Sequence, residues 1–109
     1  MFRVMRNSGF HIQFSNGFLI SCQFDCCSYC SKRTFENFEN VLQKEKQNYS
    51  NFSKDCEVAI IKDGEFITGE IVEEMNEKFS LDLPYGDGQV LGYVNADTVA
   101  KIISYISTK

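Results

Sequence analysis

Apolar and polar residues alternate along the first quarter of the chain, as is typical of antiparallel strands. Residues 2–6 alternate and predict a first strand, and a turn follows at 7–9. Two further alternating runs, 10–14 and 18–24, flank the tripeptide Ser15-Asn16-Gly17. Because Asn-Gly between alternating apolar runs favours a tight turn, this stretch predicts a β-hairpin.

Two registers compete for this hairpin. A two-residue turn at Asn16-Gly17 pairs Phe10 with Gln23 and mixes apolar with polar side chains on each face. A three-residue loop, with Gly17 in the left-handed conformation, places every apolar side chain on one face. Since a slip of one residue would undo that arrangement, we predict the three-residue loop. Its pairs are Phe10 with Cys22, Ile12 with Ile20, and Phe14 with Phe18.

The middle of the chain carries signals for a helix and a second hairpin. Thr34 can cap a helix that runs to about residue 49, because apolar residues recur near helical spacing. Residues 56–61 predict a buried strand, which the turn at 62–65 reverses into a strand over 66–68. The apolar positions of the predicted helix are Phe35, Phe38, Leu42 and Tyr49.

Residues 69–80 fit either a helix or a strand. As a helix they separate an apolar side from an acidic one. The apolar side holds Ile71, Val72, Met75 and Phe79, and the acidic side holds Glu70, Glu73, Glu74 and Glu77.

The end of the chain predicts a loop, a strand and a helix. Pro and Gly mark a loop over 83–88, and residues 89–94 predict a last strand. Asn95 can cap a terminal helix whose inward side carries Val99, Ile102, Ile103 and Ile106. We therefore predict a single α+β domain over 1–109: an antiparallel sheet built from two or more hairpins, with two to three amphipathic helices packed mainly on one face.

Composition points to a globular protein that stays in the cytoplasm. Charged residues make up 24% of the 109 residues, and the net charge is −4. No apolar run approaches the roughly 18 residues that a membrane span needs, and the N-terminus lacks the apolar region of a signal peptide. We expect no membrane association.

The five cysteines are expected to be thiols, because an odd number in a reducing compartment argues against a disulfide framework. Cys27 and Cys30 have the spacing of a zinc or redox pair, but a second such pair is absent. His11 is the only histidine, and the predicted register points it away from Cys22. We expect buried thiols at Cys22 and Cys56, and surface thiols at Cys26, Cys27 and Cys30.

The sequence predicts neither an enzyme nor a metal or cofactor site. A cysteine nucleophile would need a base within reach, and no glycine-rich phosphate loop precedes a helix. A zinc or thiol redox protein stays an alternative reading.

Charge is distributed unevenly along the chain. Residues 62–88 hold eight acidic residues and two lysines, whereas the remainder holds seven acidic and nine basic residues. This argues against direct binding of nucleic acid, which needs a basic surface. The acidic side of residues 70–77 fits either a solvated helix face or a surface that docks on a basic protein partner.

The loop around residues 29–33 sets an aromatic side chain beside two cations. Tyr29, Lys32 and Arg33 are residue types typical of interface anchors, although Tyr29 could equally fold back onto the sheet. The same group could hold a nucleotide, since cations match phosphates and an aromatic ring stacks on a base.

Four strings resemble a family of small proteins encoded by tailed bacteriophages and prophages: NGFLISCQF at 16–24, YCSKR at 29–33, EVAI at 57–60 and VLGYV at 90–94. The resemblance covers about half the chain, and the family has no established activity. Tyr29, Cys30 and Arg33 fall on matched positions. Cys26 and Cys27 do not, since the family pattern is glycine-rich there.

The resemblance implies a phage-encoded accessory protein in the host cytoplasm. Our favoured hypothesis is a non-catalytic host-takeover or counter-defence inhibitor, for example of a CRISPR–Cas effector, that binds a host or defence protein stoichiometrically through a basic surface on that partner. The alternative is an oligomeric sponge that sequesters a defence signalling nucleotide. The sequence does not give the oligomeric state.

Overall fold

The structure is a computed structural model that describes residues 1–5, 8–25, 28–31, 53–84 and 88–109. The helix predicted to begin at Thr34 lies outside these residues. The described elements are β1 (Phe2–Met5), β2 (Gly9–Gln13), β3 (Phe18–Gln23), β4 (Asp55–Lys62), β5 (Glu65–Phe66), α1 (Thr68–Phe79), β6 (Leu91–Asn95) and α2 (Ala96–Ser107).

The described strands form one antiparallel sheet. β1 to β4 lie side by side in chain order. The other edge of β4 is shared by two strands: β5 pairs with Ile61 and Lys62, and β6 pairs with the opposite end of β4, from Asp55 to Val58. The predicted α+β fold is confirmed.

The β2–β3 hairpin has the predicted register. Phe10 pairs with Cys22 and Ile12 with Ile20. The Phe14 N–H donates to the Phe18 carbonyl at 2.8 Å, which closes a three-residue loop. Gly17 has φ 91°, a left-handed conformation that a side chain would strain.

Asn16 at the tip of this hairpin binds the end of α2. Its side-chain NH₂ donates to the carbonyls of Ile106 at 2.8 Å and Lys109 at 3.2 Å. Its side-chain oxygen accepts from the Phe18 N–H. The turn residue therefore adds a donor to the Ile106 carbonyl, one of the last four in the helix, which have no partner within it.

Both described helices pack on the same face of the sheet, as predicted. Strands β3 and β4 contribute Ile20, Val58 and Ile60, each with no exposed surface, and α2 contributes Ile102 and Ile106. Burying a side chain of this size stabilises the fold by about 1.5–3 kcal/mol. This layer holds the sheet and both helices together.

Helix α1 settles the ambiguity over 69–80. Ile71, Val72 and Met75 are buried, as predicted for a helix. Phe79 differs from the prediction, because 49% of it is exposed at the helix end. The helix stops at Ser80, whose backbone is left-handed and whose N–H donates to the Asn76 carbonyl.

The strand predicted over 66–68 ends at Phe66, because Thr68 already belongs to α1. The Thr68 hydroxyl is fully buried and bonds the Ile60 N–H at 2.9 Å and the Gln89 carbonyl at 2.7 Å. A side-chain hydroxyl thus replaces the strand pairing at this point. The last strand also begins later than predicted, at Leu91 and not at Gln89.

The predicted cap of the terminal helix is confirmed. The Asn95 side chain accepts the Thr98 N–H at 2.9 Å. Neither described helix is both long and apolar enough to cross a membrane.

Candidate protein-binding site

A β-bulge in β6 positions the first candidate functional residue. One residue of β4, Glu57, lies opposite two residues of β6, Gly92 and Tyr93. Tyr93 takes the extra position with φ 55°, a left-handed backbone that costs a non-glycine residue about 1–2 kcal/mol. The flanking pairs are Val58 with Leu91 and Cys56 with Val94.

The loop at 28–31 lies directly against this bulge. The Tyr93 N–H donates to the Tyr29 carbonyl at 2.9 Å, and the Tyr29 N–H donates to the Glu57 carboxylate at 2.8 Å. A Cβ atom at position 92 would lie 3.0 Å from the Tyr29 Cβ, so Gly92 allows the two segments to approach. Ser31 donates from its N–H and its hydroxyl to the Asp55 carboxylate, which holds the other end of the loop.

These contacts hold two tyrosines at the surface, and we call Tyr29 and Tyr93 the tyrosine surface. Tyr29 is 47% exposed and Tyr93 is 57% exposed. The sequence left Tyr29 either exposed or folded onto the sheet. The structure fixes its backbone to β4 and β6 while leaving about half of the residue in solvent.

Strings that are far apart in the chain meet at the tyrosine surface. Tyr29, Glu57 and Tyr93 come from three of the four strings singled out in the sequence. The fourth string contributes Gln23, which pairs with Glu57 across β3 and β4 and donates to the Ser21 hydroxyl at 3.1 Å. Nothing in the local sequence of the four strings predicts that they touch.

The prediction of a surface thiol at Cys30 is wrong, because only 1% of this residue is exposed. Its Sγ donates to the Asp25 carbonyl at 3.4 Å. The buried Ser28 hydroxyl donates to the Asp25 carboxylate at 2.8 Å. The polar loop therefore turns Cys30 inward. Cys26 and Cys27 lie outside the described residues.

The predicted acidic face divides into two parts. Glu70, Glu73 and Glu77 are exposed on α1, and among the residues that the structure describes no cation pairs with them. Glu74 instead accepts from Lys109 at 2.9 Å and from the Tyr105 hydroxyl at 2.8 Å. These two partners hold the pKa of Glu74 below its ordinary value.

The two remaining predicted partner-binding residues, Lys32 and Arg33, lie outside the described residues. The sequence placed them beside Tyr29, and that arrangement stays a prediction. What the described part of the site offers a partner is therefore the tyrosine surface and three unpaired carboxylates on α1.

Cys22 and Cys56 are buried, as predicted, on neighbouring strands of the core. A hydrogen bond from the Cys22 thiol to Cys56, together with burial, raises the pKa of Cys22 far above its usual range. The same bond lowers the pKa of Cys56, and burial opposes that effect. A cleft of about 210 Å³ opens beside them, lined partly by Phe10 and Val99.

Neither thiol belongs to a metal-binding group within the described ranges, where no three His, Cys, Asp or Glu side chains are placed to hold an ion. His11 pairs with Ser21, so it points to the face opposite Cys22. Both thiols belong to the hydrophobic core, where they pack as small apolar side chains.

Comparison with known proteins gives no relative. No protein-family model matches the chain, and no curated protein or solved structure is significantly similar to it.

Proposed function

We propose that this protein is a non-catalytic binding protein that docks stoichiometrically on a protein partner through the tyrosine surface. The observation that carries the proposal is Tyr93, an aromatic residue held exposed on a left-handed backbone. Such strain persists only where surrounding contacts fix it, and it concentrates at functional sites. Tyrosine is also among the residues that contribute most to binding at interfaces.

The charge on α1 supports a partner with a basic surface. Glu70, Glu73 and Glu77 project from one side of the helix and are not neutralised by any described cation. Complementary charge of this kind raises the association rate more than it raises affinity. Glu74 contributes less, because Lys109 and Tyr105 already occupy its carboxylate.

The proposed context is a phage accessory protein acting in the host cytoplasm. The sequence resemblance supports this context, and the counter-defence role, including inhibition of a CRISPR–Cas effector, follows from it by analogy. Fold alone does not assign such a role.

Quantitative affinity capture from bacterial lysate tests the proposal. The wild-type protein is compared with Tyr29→Ala/Tyr93→Gly and with a matched control, Phe66→Ala, which removes another exposed aromatic residue. We expect a partner that the wild type and the control both enrich and that the double variant loses. Recovery of the same proteins by all three would contradict a role for the tyrosine surface.

The acidic face is tested on the captured partner by association kinetics. Reversing Glu70, Glu73 and Glu77 to Lys should slow association and flatten its salt dependence. The matched control reverses three exposed acids elsewhere, and we expect it to leave the kinetics close to wild type. Equal slowing in both triple variants would show that net charge, and not this face, guides the encounter. The control acids are Glu65, Asp82 and Asp97.

A further inference from the structure

The C-terminal parts of α1 and α2 enclose a groove that the proposed function does not use. Its volume is about 640 Å³, within the range of small-molecule sites. Cations, hydroxyls and aromatic rings line it together.

Two aromatic rings form one wall of this groove. Phe79 and Tyr105 meet edge to face, with ring centroids 5.7 Å apart and planes at 85°. The Tyr105 hydroxyl is fixed by its hydrogen bond to Glu74. Helical periodicity assigned Phe79 to the core, but it is half exposed. Its contact with Tyr105 holds it in place in the groove.

Three lysines gather around this wall. The Lys78 ammonium lies 5.6 Å from the centre of the Tyr105 ring, and the Lys109 ammonium lies 4.9 Å from it. Lys109 also pairs with Glu74. Within the part of the chain that the structure describes, neither Lys78 nor Lys101 forms a salt bridge, so the side chains that line the groove carry a net positive charge.

This clustering contrasts with the rest of the described protein. The described part of the chain holds six Lys and Arg residues and eleven acidic residues. Half of those six cations line one groove. A lysine near a helix C-terminus offsets the negative end of the macrodipole, which explains Lys78. It does not explain Lys101, which lies in the middle of α2.

We propose that this groove binds a nucleotide, with its phosphates on Lys78 and Lys101 and its base against Phe79 and Tyr105. Ammonium groups form charge-assisted hydrogen bonds with phosphate oxygens. Aromatic side chains stack on bases with little preference among them. The Ser104 and Thr108 hydroxyls add hydrogen-bonding groups to the same lining. The inference is independent of partner binding at the tyrosine surface.

Calorimetric titration with ATP, adenosine and inorganic tripolyphosphate tests both halves of the site. We expect one ATP per chain, with adenosine and tripolyphosphate each binding at least tenfold more weakly. Lys78→Gln/Lys101→Gln should weaken ATP binding about tenfold or more, and Phe79→Leu should weaken ATP binding without affecting tripolyphosphate. The matched control, Lys54→Gln/Lys62→Gln, removes two lysines away from the groove and should leave affinity unchanged.

Three results would overturn the proposal. The first is that none of ATP, GTP, CTP and UTP binds the wild type at 1 mM. A Kd of about 1 mM is the weakest affinity that we would assign to a site. The second is tripolyphosphate binding as tightly as ATP, which would leave only an anion site. The third is an equal loss of affinity in the control. A measurement on the wild type alone needs no variant: bound ATP should change the NMR chemical shifts of the Phe79 and Tyr105 rings.

Discussion

Replacing Tyr93 by glycine and by alanine separates the backbone strain of the bulge from the tyrosine side chain. Both variants remove the ring, so their difference in stability reports the left-handed backbone at φ 55°. Alanine keeps a strain of about 1–2 kcal/mol, which glycine avoids. Glycine loses about 0.5–1 kcal/mol through the greater freedom of the unfolded chain. We therefore expect Tyr93→Gly to be more stable than Tyr93→Ala by about 0–1.5 kcal/mol, with a central value of about 0.75 kcal/mol.

Urea denaturation followed by circular dichroism measures this difference as a change in midpoint at constant slope. In a domain of this size, about 1 kcal/mol corresponds to a shift in Tm of about 4–8 °C. Ala100, exposed within α2, provides the control. There Ala→Gly should reduce the free energy of unfolding by about 0.5–1 kcal/mol, opposite in sign to the change at position 93.

If Tyr93→Ala is more stable than Tyr93→Gly, the bulge is not strained and the proposed function loses its main support. If the expected order holds and Tyr93→Gly also loses the partner, the tyrosine is retained for binding at the expense of stability, a known trade-off.

Three further predictions concern buried and paired groups. Cys22→Ser should lower the free energy of unfolding by about 1–3 kcal/mol, because it buries a more polar hydroxyl whose only neighbour of this kind is the weakly accepting Cys56 sulfur. Native thiol titration should label Cys22, Cys30 and Cys56 only slowly, because all three are buried. Thr68→Val should cost about 1–3 kcal/mol in urea denaturation, since it removes the acceptor of the buried Ile60 N–H. The pKa of Glu74 is lower in the folded state than its ordinary 4.5, so its stabilisation is present above that pH and is lost as the pH falls through the folded value. The difference in stability between wild type and Glu74→Gln should therefore shrink on acidification, and a constant difference would contradict the ion pair.

Elements specified by neighbouring residues were predictable from the sequence. The β2–β3 register followed from Asn16-Gly17 and from alternation over a few positions on either side, because only one register gathers the apolar residues on one face. Asn95 was recognised as a cap because capping involves residues three apart in the chain. The acidic and apolar sides of α1 were likewise visible in its periodicity.

Tertiary structure decided the features on which function depends. Residues 69–80 became a helix where the Thr68 hydroxyl bonds Ile60 and Gln89, and neither partner is a near neighbour in the chain. Cys30 is buried by contacts within its loop, although its polar surroundings suggested exposure. The tyrosine surface joins positions 29 and 93 through a bulge that aligns them. Periodicity indicates only which side of its own helix or strand a residue occupies. Contacts between distant segments form only when the sheet is assembled, and these contacts sustain the backbone strain at Tyr93.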